Sequence, residues 1–139
     1  SSTEPKAAET GRIVARHLDL PFETAPGLHE HEREVVKSLG SREAFRAQVA
    51  GLFERPGELV LGRETADQAH ARFAGAVAAV LARHPEGNLA LASHGTVMTL
   101  LIARANDLDP VPFWKSLSLP AFAVLSLPDL QLLEVVERI

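Results

Sequence analysis

The sequence predicts an α/β fold, a layered α/β/α sandwich with a mostly parallel sheet and a C-terminal edge hairpin, and three observations carry that expectation. The predicted elements run helix, helix, helix, strand, helix, strand, strand. Leu89-Ala90-Leu91-Ala92 is unbroken apolar sequence directly after a turn, which suits a parallel strand covered on both faces. Two strand candidates close the chain across Pro128-Asp129, a connection short enough for an antiparallel hairpin. With 139 residues, 46% of them apolar, the chain can bury the core of a single domain spanning 1–139.

In chain order, residues 4–17 carry Ala7, Ala8, Ile13, Val14 and Ala15 among charged positions and read as one helix, weakened but not broken by Gly11. Residues 18–27, with two prolines, are a connection with a short extended candidate at 21–24. The stretch from His29 to Glu34 is polar, with no buried face. Ser41 is a plausible N-cap for a cover helix whose stripe is Phe45, Val49, Leu52 and Phe53, and Pro56-Gly57 stops it. Thr65 and Gln68 form a T-x-x-Q capping box, and Ala69, Phe73, Ala76, Val77, Val80 and Leu81 give the following helix one apolar face. Pro85 and Gly87 end it. After the strand at 89–92, the segment from Thr96 to Ala105 is apolar nearly all round, as a helix packed inside layers would be, and Asn106-Asp107 and Pro110 close it. The hairpin strands are 121–127 and 130–136. Phe113 and Trp114 are expected as a packed cap over that hairpin.

Fourteen basic and eighteen acidic residues give a net charge of −4 with both signs scattered, so no basic stripe points to a nucleic-acid partner. The absence of cysteine removes disulfides, thiolate metal sites and thiol nucleophiles, and it fits a reducing, cytoplasmic setting. No run approaches a membrane span, and residues 1–10 are polar rather than signal-like. Beginning at Ser1 without methionine is compatible with initiator removal or with a longer N-terminal piece.

The chemistry concentrates at Ser93-His94-Gly95-Thr96, where the buried strand ends and a helix begins. Ligands of layered α/β sheets gather outside the carboxyl ends of strands. Gly95 lets a backbone N–H approach an anion closely, the first N–H groups of the next helix lack intrahelical partners, and His94 adds a donor. The alternative is a capping turn with a satisfied histidine.

Four stretches in order bear on that choice: Ser1-Ser2 with residues 7–10, then Leu28-His29-Glu30, then Glu64-Thr65 opening a capped helix, then Ser93-His94-Gly95-Thr96-Val97. Together they resemble the landmarks of the histidine phosphatase superfamily, the phosphoglycerate mutase-like phosphatases, over essentially the whole chain. The resemblance implies phosphoryl transfer through a phosphohistidine, with no cofactor. In that scheme one histidine, from an R-H-G turn, attacks phosphorus; a second histidine and arginines hold the transferring oxygens; a glutamate protonates the leaving alkoxide. By position His94 matches the second histidine and Glu30 the acid, with Gly95 and Thr96 among the phosphate-binding residues. Lys6 stands where the family places a phosphate-binding arginine; it supplies charge without the bidentate fork, or it is simply solvated.

No R-H-G occurs in the sequence, so the resemblance implies that the nucleophile, the first strand and helix and most of the second strand precede Ser1. Arg16-His17-Leu18 is no substitute, because it closes a helix and lacks the glycine. The short stretch between Glu30 and Glu64 leaves little room for the insertion that the family's mutases carry, so phosphatase ranks above mutase. The expected partner is a small phosphate monoester or phosphate. The rival is a non-catalytic phosphate-binding or interaction module that has lost the nucleophile. A sheet lacking a central strand exposes backbone beside 89–92, so upstream residues or a partner chain should fill the gap, which leaves a homo-oligomer open.

Other polar residues are given structural roles. His29 and His31 flank Glu30, but adjacent loop residues alternate in direction and no third ligand has convincing spacing, so no metal is expected. Glu32 and Glu34 are fallback acids. His84 suits the C-terminal dipole of the long helix, and Arg63 and Arg72 are expected to be solvated helix arginines.

Overall fold

In a computed structural model, which describes residues 1–33, 41–118 and 120–137, the helices follow the sequence signals closely. The first, α1 (Pro5–His17), starts with proline at its first position, where a missing N–H costs nothing. It buries Ala7, Ala8 and Ala15 and leaves Ile13 and Val14 exposed. Ser41 caps α2 (Arg42–Glu54), its hydroxyl accepting from Ala44 N–H, and Val49, Leu52 and Phe53 are the buried stripe. Thr65 and Gln68 form the reciprocal capping box that opens α3 (Ala66–Arg83), with bonds of 3.1 and 2.8 Å. Thr65→Ala is expected to cost about 1 kcal/mol, read as a lower urea midpoint at unchanged slope.

His94 is the N-cap of α4 (Gly95–Ala105), the most buried helix, which packs against α3. The core lies among α2, α3 and α4, where Leu52, Phe73, Val77, Val97 and Leu100 meet Leu28 from the loop after α1. A short α5 (Pro110–Ser116), capped by Asp109, packs on α4 and α2. Trp114 therefore sits against Phe45 and Phe53, with ring centroids 6.2 Å apart in each pair, rather than over the hairpin as expected. Its helix follows α4 by so short a turn that its aromatic face meets α2 first.

The sheet differs from the expectation. Strands β1 (Phe122–Ser126) and β2 (Gln131–Val136) pair antiparallel with a bulge between Val124 and Leu125, within a residue or so of the predicted bounds. Asn106 ties this hairpin to α4: its side chain donates to the Ile102 and Leu130 carbonyls and accepts from Leu132 N–H. These two strands are the only sheet among the described residues, so the mostly parallel layered sheet is not formed by them. Among the described residues, parallel pairing is reduced to a bridge between Ser2 and Ala25, flanked by a bond from the Ser1 amino group to the Glu23 carbonyl, and one bond from Ser2 N–H to the Ala92 carbonyl. The predicted strand at 89–92 builds no ladder, because only its C-terminal end finds a backbone partner. Leu89 and Ala90 are exposed instead of covered on both faces. The extended candidate at 21–24 contributes the Glu23 carbonyl, which accepts from the Ser1 amino group at 2.8 Å, next to the bridge at Ala25. The described residues thus form a mixed α/β structure whose parallel component consists of isolated contacts. No helix among the described residues is long and apolar enough to cross a membrane.

Candidate functional site

Three segments converge on the start of α4. Ser2 is fully buried, and its N–H holds it beside Ala92, two residues before His94. The Ser93 hydroxyl donates to the Leu28 carbonyl at 2.8 Å, drawing the loop that carries Glu30 against the same helix end. Two glycines permit that approach. Gly27 has φ +82°, and a β-carbon there would lie 2.8 Å from Ala76 Cβ; Gly62 has φ +86°, and a β-carbon there would collide with the Glu32 carbonyl.

The Glu30 carboxylate occupies the helix N-terminus. Its Oε2 accepts from Thr96 N–H and its Oε1 from Val97 N–H, each at 3.3 Å; Oε1 also takes His31 N–H at 2.9 Å, and Arg33 lies 2.8 Å from Oε2. Unsatisfied N–H groups and the helix dipole make that position favourable for an anion. The hydroxyls of Thr96 and Thr99, both buried, have no hydrogen-bond partner.

His94 stands alongside with its side chain 16% exposed. Its Nε2 is 2.7 Å from Glu4 Oε2 and 3.1 Å from Ser2 Oγ, so the carboxylate places a ring proton on Nε2. The same Glu4 oxygen accepts Glu30 N–H at 2.7 Å. Glu4 thus touches both residues that the sequence singled out.

Behind the loop lies a second network. Arg72 donates to both Glu64 oxygens, at 3.2 and 2.6 Å, and to the carbonyls of Gly27, His29 and Glu30 at 2.8 to 3.1 Å. Glu64 also accepts Glu32 N–H, and His31 is buried with Nε2 2.8 Å from the Glu64 carbonyl. Burial pushes the Glu64 carboxyl up, but hydrogen bonds from Arg72 and Glu32 N–H and the charges of Arg72 and His31 outweigh it and hold the group below the ordinary carboxylate range.

The structure brings together His94, Glu30, Gly95 and Thr96. It leaves Lys6 exposed on the first turn of α1, its ammonium without an ion-pair partner among the described residues. Glu32 pairs with His29 at 3.4 Å, and Glu34 lies outside the described residues. His29 and His31 point to different partners, and no group of three or more His, Asp or Glu side chains suited to a metal is found among the described residues. His84, as expected, closes α3, where it meets Glu23 at 3.0 Å.

Sequence reasoning missed Arg72 and Glu4. Arg72 falls inside the apolar stripe of α3, between Ala69 and Ala76, and an arginine on a buried face needs partners. Glu4 stands at an N-cap, where Ser, Thr, Asp or Asn is favoured, and its side chain does not cap its own helix.

Comparisons with curated proteins and with solved structures find no match. Residues 1–127 match the family profile described as histidine phosphatase superfamily (branch 1). The histidine at the N-terminus of α4 and the glutamate held against it belong to a chain that is a member of the histidine phosphatase superfamily.

Proposed function

We propose that this chain is the greater part of a phosphatase acting on small phosphate monoesters through a phosphohistidine, with the nucleophilic histidine on residues that precede Ser1. Residues 1–139 then form one domain, and the upstream strand completes the layered parallel sheet beside the open backbone of 89–92. The observation that carries this reading is the Glu30 carboxylate on Thr96 and Val97 N–H beside His94. Donors that already hold one oxyanion suit the oxygens of a transferring phosphoryl group, which carries dispersed negative charge and needs preorganised partners.

In the first step a histidine nitrogen bonds to phosphorus as the ester P–O bond breaks, and the departing alkoxide takes a proton from Glu30. In the second, water attacks the phosphohistidine, gives its proton back to Glu30 and releases phosphate. His94 holds the equatorial oxygens in both. Glu30 is ringed by donors, so it must leave the helix end to carry a proton, and a phosphoryl group arriving on the same N–H groups displaces it.

Glu30→Gln is expected to lower hydrolysis of an alkyl phosphate by about 10²-fold and of an aryl phosphate with an acidic phenol by much less, because only the poor leaving group needs the acid. Equal losses on both substrates would remove the acid role. The reading as a whole is tested by assaying the gene product, including any residues upstream of Ser1, on a generic phosphate monoester; no turnover would contradict it. If the reading frame begins immediately before Ser1, the rival reading of a phosphate-binding module without a nucleophile replaces it.

A further inference from the structure

We infer that Glu4 is an internal competitor for the phosphate, an autoinhibitory carboxylate that takes the His94 proton a phosphoryl oxygen would use; this rests on the phosphate site proposed above. The donors of that site face carboxylates of the chain itself: Thr96 and Val97 N–H face Glu30, and His94 Nε2 faces Glu4 at 2.7 Å. A single Nε2–H serves one strong acceptor at a time, so phosphate and Glu4 compete for it.

The two carboxylates are held differently. Glu30 is fixed by Arg33 and by His31 N–H, with its side chain 18% exposed. Glu4 has a side chain 44% exposed that makes no cap bond to α1 and whose carboxylate, among the described residues, meets His94 Nε2 and Glu30 N–H. Rotation into water releases it without breaking a buried ion pair. Release also returns the Glu30 N–H to solvent and loosens the loop that must move for Glu30 to act as an acid. Glu4 therefore sets how strongly an anion must bind before the site opens.

The sign of the effect separates this role from simple positioning. If Glu4 only oriented His94, its loss would weaken phosphate binding; as a competitor, its loss strengthens it. The experiment is titration of inorganic phosphate by calorimetry at fixed pH and ionic strength, on the gene product with any upstream residues. Glu4→Gln and Glu4→Ala are compared with wild type and with Glu54→Gln, an exposed change of the same charge on α2. The expected result is phosphate binding about three- to tenfold tighter in both Glu4 variants, the range of a partly exposed charged hydrogen bond, and unchanged in Glu54→Gln. Unchanged or weaker binding in the Glu4 variants, with wild type still binding, overturns the competitor role and leaves the phosphatase reading standing. Absence of phosphate binding in every variant overturns both.

Discussion

His94→Asn is expected to lower turnover of a phosphate monoester by about 10²- to 10³-fold, the usual loss when one preorganised donor to a developing oxyanion is removed. Asparagine is chosen because His94 is also the N-cap of α4 and caps it with no side-chain bond. Asparagine is among the best N-cap residues, so the start of α4 should be kept or strengthened. Its amide is too short to put a donor where Nε2 stands. The measurement is kcat/KM beside the thermal midpoint: activity falls while the midpoint holds or rises. A variant within tenfold of wild type would mean that His94 does not hold the transferring oxygens.

The second large effect is on stability. Arg72→Met is expected to cost about 3 kcal/mol, or roughly 10 °C in the thermal midpoint, because it strands the Glu64 carboxylate, 8% exposed, and three carbonyls of the loop at 27–30. Arg72→Met combined with Glu64→Leu should recover part of the loss, since replacing both partners leaves no unpaired buried charge. The pH dependence has a definite sign. Glu64 is held below its ordinary value of 4.5 in the folded chain, so its contribution is fully present at neutral pH. That contribution fades as pH falls below about 4.5 and through the lower folded value. The gap between wild type and Arg72→Met should narrow over that range. A gap of constant size down to pH 3 would show that the ion pair is not its source.

Most helices were legible because each has a local start and stop. Thr65 with Gln68 and Ser41 announce α3 and α2, and Asn106 follows the end of α4. The hairpin was legible from two apolar runs around Pro128-Asp129. The parallel sheet was not, because a buried strand is made by its neighbours. The run at 89–92 has the right composition, but among the described residues only Ser2 offers it a ladder bond, at Ala92.

The site shows the same division. Gly95 and Thr96 follow His94 at the start of α4, and that is written in adjacent residues. Glu30 reaches the same place through Ser93 bonding to Leu28 and two left-handed glycines, which are tertiary facts. Arg72 was hidden by the ordinary behaviour of helix arginines, although its place within the apolar stripe marked it. Glu4 was hidden because its partners are 26 and 90 residues away. Lys6 was matched by position alone, and it stands at the surface on the first turn of α1, in keeping with the solvated alternative that the sequence also left open.

In the proposed mechanism His94 holds the phosphate while another histidine carries it. Its most direct test is to quench the gene product, with any residues upstream of Ser1, during turnover of a phosphate-labelled monoester and to map the acid-labile adduct by peptide. A phosphohistidine upstream of Ser1 is expected, formed more slowly in His94→Asn. Turnover without such an adduct, or phosphate on His94 itself, would contradict it.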